Sequence, residues 1–367
     1  MTRFLVAPDK FKGSLDAAQV AASIARGLRA AGAEAVELPI ADGGDGTVAA
    51  ALAAGWTPVP VTVAGPTGQP VATTIARNGD DAVVEMADAC GLVRLEDGPA
   101  PLTTTSRGLG EAVAAAVADG ATRIVVGIGG SASTDGGAGM LAALGARVLD
   151  ADGASVRDGG AGLADVASLD LDGLGLDGVS LVVACDVDNP LTGEHGAAVV
   201  YGPQKGADPD QVAALDAALA RWADVVAAAT GHDLRDAPGA GAAGGVGFAA
   251  LALLGAETRS GAELVLDLVG LDRALDEADV VITGEGSFDE QTLRGKGPAV
   301  VAARAAARGT AVFVVCGRTT LTDDAARGAG VDRVFALQDL EPDLARCVTD
   351  APSLLERIAA DVASSVL

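Results

Sequence analysis

Short apolar runs recur along the chain, and most of them end in a polar, glycine-bearing turn. Phe4–Ala7, Ala35–Ile40, Val83–Met86, Arg123–Ile128, Leu181–Ala184, Val280–Ile282, Ala311–Cys316 and Arg333–Ala336 have the length and content of buried strands. Stretches with helical spacing lie between them: Leu15–Ala31, Val48–Ala54, a run ending at Val117, Ala138–Leu144, Asp210–Ala229, Phe248–Leu254, Ala299–Ala307 and Leu354–Val366. Ser14 is read as the N-cap of the first helix and Gly32 as its stop. Pro209 and Pro298 stand at helix starts, where a missing N–H costs nothing. This alternation predicts an α/β protein with parallel sheets. Trp56–Ala76 departs from it. Its alternating residues and several prolines predict edge or antiparallel strands. Leu264–Asp267 is read as one more strand and Leu268–Glu277 as a connector.

The texture predicts two α/β domains. The N-terminal βαβ unit and the strands at Val280, Val312 and Val334 are expected to share one doubly wound, Rossmann- or flavodoxin-like sheet, built from residues 1–62 and 273–367. Residues 63–272 are then an inserted, mixed α/β domain. An active site is expected in the cleft between the two, a preferred place for small-molecule sites.

Composition narrows the chemistry. Half of the 367 residues are apolar but only 2% are aromatic, so the core must be built from Val, Leu, Ile and Ala. A net charge of −25 argues against nucleic acid and anionic membranes as partners. No apolar stretch approaches the ~20 residues of a membrane span. The N-terminal MTRFLVAPDK turns polar too soon for a signal peptide. Cys90, Cys185, Cys316 and Cys347 lack metal-type spacing, which suits a reduced, cytoplasmic protein. His195 and His232 have no motif context and are read as surface residues, so Ser–His or Cys–His chemistry is unsupported. Of the 25 basic residues only Lys10, Lys12, Lys205 and Lys296 are lysines, and all four lie in loop-like contexts. Lysine is a compact charge often used on phosphates.

The strand ends carry the candidate groups. Val280–Pro298, VVITGEGSFDEQTLRGKGP, follows a buried strand with Glu285, Asp289, Glu290, Gln291 and then Lys296 between two glycines. Ligands of open α/β sheets sit beyond such strand ends. Asp42 and Asp45 on a glycine-rich turn suit either Mg²⁺ or an Asx turn that caps a helix. The turn after Ile128, GGSASTDGG, is a phosphate cradle by mechanism, with Gly129, Gly130 and Ser131 at its head. The same turn imitates a dinucleotide fingerprint, although it lies mid-chain and carries Asp135 where a pyrophosphate would sit. CDVDNPLTG adds Asp186, Asp188 and Asn189, while Gly239–Gly247 is either a hinge or a close-approach loop. The inventory suits phosphoryl transfer, in which positioning and charge neutralisation do most of the work. There is no GxxxxGK[ST] and no protein-kinase signature. An NAD-dependent oxidoreductase using the GIGGSA turn and a non-catalytic sugar-acid-binding protein remain the alternatives.

Taken together and in order, APDKFKGSL, PIADGGDGT, VGIGGSASTDGGAGML, ACDVDNPLTG, GPQKGA, GAAGGVG and ITGEGSFDEQT with GKGP resemble the type 1 glycerate kinases of bacteria. That resemblance implies a split two-domain fold and ATP- and Mg²⁺-dependent phosphorylation of glycerate, with 2-phosphoglycerate favoured over 3-phosphoglycerate. A homodimer is compatible with it. The family more often has Ser where Lys10 stands, and often Arg where Ser287 stands. Carried onto this chain, the resemblance implies that Asp42, Asp45 and Glu285 hold Mg²⁺. It implies that Gly129, Gly130 and Ser131 cradle phosphate, and that Lys12, Lys205 and Lys296 neutralise triphosphate or the glycerate carboxylate. Asp186 or Asp289 would accept the hydroxyl proton. Ser14, Asn189 and Gln291 would contact substrate or phosphate.

Overall fold

Residues 1–366 are described by a computed structural model. The chain forms two compact units: residues 1–42, 49–55 and 262–367 in the first, residues 43–48 and 56–261 in the second.

The first unit holds a five-stranded, all-parallel sheet. Its order is Arg333–Ala336, Ala311–Cys316, Val280–Gly284, Arg3–Pro8, Glu34–Glu37. The two central strands, Arg3–Pro8 and Val280–Gly284, are buried at nearly every position, as expected of strands covered on both faces. They pair in register, Phe4 opposite Val280 and Pro8 opposite Gly284. From Arg3–Pro8 the chain winds outward one way to Glu34–Glu37. From Val280–Gly284 it winds the other way, so the switch point lies between the two central strands.

Helices cover both faces of this sheet. Val20, Ile24 and Leu28 of the Ala17–Ala30 helix pack with Leu355, Ile358 and Val362 of the Ala351–Val366 helix on one face. Each such side chain, fully buried, contributes about 1.5–3 kcal/mol. A Cβ on Gly27 would stand 2.2 Å from the Glu356 carbonyl oxygen, so Gly27→Ala would push these helices apart. On the other face Val265, Leu266 and Leu271 pack with Val301, Ala302 and Ala305.

The second unit has a six-stranded mixed sheet, in the order Glu257–Arg259, Ser180–Ala184, Arg123–Gly127, Asp81–Glu85, Pro70–Asn78, Thr57–Ala64. The first four strands run parallel, and the last two add an antiparallel hairpin. The alternation and prolines of residues 56–76 thus mark the hairpin edge, where the missing N–H of Pro58 and Pro60 costs least. Its core includes Trp222, fully buried, on the Pro209–Thr230 helix.

Four expectations change. Residues 43–48 and 56–62 belong with the second unit, because Glu85 accepts from the Gly46 and Val48 N–H groups and Thr57–Ala64 pairs along its whole length with Pro70–Asn78. Residues 262–272 belong with the first, because Val265, Leu266, Val269 and Leu271 fill its core. The segment read as a Leu264–Asp267 strand is a helix, Gly261–Leu268, and the connector after it contains a second one, Leu271–Asp276. Finally, Asp16 and not Ser14 caps the first helix. Asp16 accepts from the Gln19 N–H at 2.8 Å and its own N–H donates to Gln19 Oε1 at 3.1 Å, a reciprocal box.

Candidate active site

The switch point of the first sheet gathers carboxylates. Asp9 follows the Arg3–Pro8 strand, and its N–H extends the ladder to the Gly284 carbonyl at 2.8 Å. Glu285 follows the neighbouring strand. Asp42 lies beyond the Glu34–Glu37 edge. Asp9 is buried, and burial first, then the charge of Asp42, pushes it up to about 7; the N–H of Lys10 at 2.6 Å partly opposes this. Glu285 is also raised, chiefly by burial, while the hydroxyl of Thr292 and the charge of Lys296 hold it down. Three acids on adjacent strand ends therefore repel one another, with Lys296 beside them. Asp289 accepts from the N–H groups of Gln291 at 2.9 Å and Thr292 at 3.4 Å, which shapes the turn leading to Lys296. Lys296 sits just before the Gly297–Ala306 helix. Lys12 is exposed on the turn after the first strand, and Ser14 spends its hydroxyl on the Val348 carbonyl at 2.8 Å. Gln291 is exposed.

In the second unit two glycine turns meet backbone to backbone at the ends of the parallel strands. A Cβ on Gly129 would stand 2.6 Å from Gly44 Cα, and one on Gly43 would stand 2.6 Å from Gly261 Cα. Only glycine permits that contact. The turn carrying Asp45 is held from below by Glu85, whose two oxygens accept from Gly46 N–H at 3.1 Å and Val48 N–H at 3.0 Å. Burial pushes Glu85 up to about 7 against those two hydrogen bonds. Asp45 itself is exposed. Asp186 accepts from the Gly261 N–H at 2.9 Å. Asn189 receives the Tyr201 hydroxyl at 2.6 Å and donates to the His195 carbonyl at 2.9 Å.

The GGSASTDGG turn is clamped. Thr104 donates to the Ala132 carbonyl at 3.0 Å, Trp222 Nε1 to the Gly136 carbonyl at 3.0 Å, and Gly136 N–H to the Gly244 carbonyl at 2.9 Å. Lys205, only 2% exposed, turns its ammonium onto the Ser133 carbonyl. Burial lowers Lys205 to about 8, and the charge of Asp135 partly restores it. Asp135 is fully buried and is held by Ser106 through its N–H at 2.8 Å and hydroxyl at 2.9 Å, with Gly137 N–H at 3.2 Å behind. Gly129 is half-buried, Gly130 exposed and Ser131 nearly buried. The GAAGGVG segment is a close-approach turn: a Cβ on Gly244 would stand 2.1 Å from the Ser133 carbonyl oxygen, and Ala243 takes a left-handed φ of 52°. The Cβ side of Gly129 is closed by Gly44 Cα, so this glycine serves the packing of one turn on the other.

Three residues that carry this architecture went unassigned in the sequence: Asp9, Glu85 and Ser106. Asp9 lies beside Lys10 and Lys12, Glu85 inside a strand pattern, and Ser106 just before a helix. For Asp9 the signal was available, as the first polar residue past a buried strand. For Glu85 and Ser106, whose partners lie 37–39 and 29 residues away, no local signal exists.

A parallel sheet with carboxylates and a lysine at its switch point, joined in sequence to a unit with a clamped glycine turn, suits a phosphotransferase, and the relatives of this chain are phosphotransferases. The chain belongs to the glycerate kinase family, whose model matches residues 4–367. It is 43% identical over 372 residues to a glycerate kinase of Bacillus subtilis, covering 99% of this chain and 97% of that one. It is 43% identical to the glycerate 2-kinase of Escherichia coli over 91% of this chain and 90% of the relative. A crystal structure of a candidate glycerate kinase 2 from Salmonella typhimurium LT2 matches with a TM-score of 0.86 at 41% identity, covering 100% of this chain and 98% of that one.

Proposed function

We propose that this chain transfers a phosphoryl group from ATP, with Mg²⁺, to a hydroxyl of glycerate, the 2-hydroxyl being favoured. The observation that carries the reading is the set of acids at the first sheet's switch point, in a chain of this family. The preference for position 2 follows the Escherichia coli relative, which is named a glycerate 2-kinase.

The donor set fits Mg²⁺. Asp42 and Glu285 offer hard oxygen ligands, and the mutual repulsion of Asp9, Asp42 and Glu285 is what a divalent cation relieves. Among the described residues no three His, Cys, Asp or Glu side chains form a ready-made cage. Mg²⁺ does not need one, because it shares its coordination with phosphate oxygens and water. Asp42, Asp45 and Glu285 are the residues that would hold it, and when bound it neutralises charge on the transferring phosphoryl group. Lys296 and Lys12 would meet the anionic substrates, with Gln291 adding an amide. Gly129, Gly130 and Ser131 would present backbone donors to phosphate. Asp289 or Asp186 would take the hydroxyl proton. Lys205 is better read as a clamp on the glycine turn than as a direct contact, because its ammonium is buried on Ser133. Ser14 and Asn189 each make hydrogen bonds within the fold and would reach substrate with their remaining donor and acceptor sites. The reaction belongs in the cytoplasm on this reading, consistent with four free cysteines.

The test is release of ADP from ATP and Mg²⁺ with D-glycerate, followed by ³¹P NMR of the product. The phosphorus–proton coupling tells 2-phosphoglycerate from 3-phosphoglycerate. Turnover with a different hydroxy acid alone would replace the substrate, and silence with every acid would sink the reading.

A further inference from the structure

We propose that Glu85 is a positioning residue for Asp45: from the end of its strand it grips the amides of Gly46 and Val48 and so fixes the direction in which Asp45 is presented. The functional weight of Asp45 rests on the reading above. The grip itself rests on geometry.

The Gly43–Val48 turn is held at three places within the second unit. Its glycines press on Gly129 and Gly261, as described. Thr47 closes it internally, its hydroxyl donating to the Gly44 carbonyl at 2.7 Å. Glu85 supplies the third hold, with one oxygen on Gly46 N–H at 3.1 Å and the other on Val48 N–H at 3.0 Å. These two amides bracket Thr47 and follow directly on Asp45. The turn therefore cannot rotate about Asp45 without breaking at least one of them.

The choice of residue is informative. The N–H groups at the start of the Thr47–Ala53 helix need acceptors, and a Ser, Asp or Asn in the turn itself would ordinarily supply one at little cost. Here a carboxylate that is 5% exposed is used instead, brought from a separate strand. Burying a carboxylate is expensive unless it is hydrogen-bonded. What that arrangement provides, and a local cap does not, is attachment of the turn to the sheet. The Asp81–Glu85 strand pairs with Arg123–Gly127, with Glu85 opposite Gly127, just before the phosphate-cradle turn. Glu85 thus places Asp45 and the Gly129–Ser131 turn on one rigid frame.

Glutamine at position 85 keeps the shape but offers one oxygen where two are used, and sets its NH₂ against an N–H donor. The experiment compares wild type, Glu85→Gln, Asp45→Asn and the double variant. Amide hydrogen exchange of residues 43–48 is followed in ligand-free protein, and kcat/KM is measured for phosphorylation of glycerate. Exchange at Gly46 and Val48 should quicken about tenfold or more in Glu85→Gln, with the rest of the sheet unchanged. Glu85→Gln should lower kcat/KM about tenfold in the wild-type background and less than about threefold once Asp45 is already Asn. Equal losses in both backgrounds would show a merely structural role and overturn the proposal. So would unchanged exchange. If Glu85→Gln does not fold, Glu85→Asp, which keeps the charge but shortens the reach, is read in the same cycle. A wild type that does not phosphorylate glycerate sinks the proposed function alone, and the exchange comparison then decides whether Glu85 fixes the turn.

Discussion

The ammonium of Lys205 donates to the backbone carbonyl of Ser133 from a side chain that is almost wholly buried. A lysine in a glycine-rich loop invites assignment to phosphate. Its position instead makes it a brace under the turn that would receive phosphate, with the buried Asp135 as electrostatic partner. Loss of a brace and loss of a ligand contact have different signatures.

Replacing Lys205 by Ala should cost stability as well as activity. It leaves the Ser133 carbonyl without the ammonium and removes a cation that interacts with the buried Asp135, a cost of about 2–4 kcal/mol. Urea unfolding should show it without ligand present. The pH dependence has a definite sign. The folded-state pKa is lowered to about 8, so between pH 8 and the unfolded value near 10.5 the unfolded chain holds the extra proton. Wild type should gain stability over that window relative to Lys205→Met.

Asp9 should show the opposite sign. Its folded pKa is raised from 3.8 to about 7, so between those values the folded chain holds the extra proton and stability falls as pH rises. In Mg²⁺-free buffer, Asp9→Asn should therefore stabilise the protein more at pH 8 than at pH 5. Activity should fall in the same variant, since the charge it removes belongs to the switch-point set. Thermal melts at the two pH values check the first part.

Gly129→Ala should damage the contact between the two glycine turns. The added methyl would stand 2.6 Å from Gly44 Cα, a backbone atom that cannot swing aside. Overpacking of this kind costs about 1–3 kcal/mol. The KM for ATP should rise along with it, whereas Gly153→Ala, with open space at a surface turn, should leave KM alone.

Lys296→Ala and Asp289→Ala probe the Val280–Pro298 stretch. Each should lower kcat/KM by about 100-fold or more, Lys296 through charge and Asp289 through the turn and any proton it takes. Values within a few-fold of wild type would contradict the role given to that stretch.

Much of this was legible because it is local. Buried strands announce themselves as apolar runs, and the polar residues that follow them mark the sheet's functional edge. The hairpin at residues 56–76 was readable from its alternation and prolines. GAELVLDL was not, since eight residues at the edge of a core fit either period until their neighbours are known. The Asp16–Gln19 box was spelled in the sequence but lost to a serine two places earlier. Glu85 and Ser106 were invisible for a deeper reason. Their meaning lies in backbone groups that only the folded sheet brings to them.

The pairing of Phe4 with Val280 also sets an order of assembly during synthesis. The first strand leaves the ribosome early, yet its inner neighbour follows some 270 residues later, which at roughly 5–20 residues per second is a delay of about 14–54 seconds. All six strands of the second sheet lie between Thr57 and Arg259, so it can close while the first waits half-built. For that interval the nascent protein carries an apolar strand with one side unpaired, and a chaperone that shields residues 3–8 would find its substrate there.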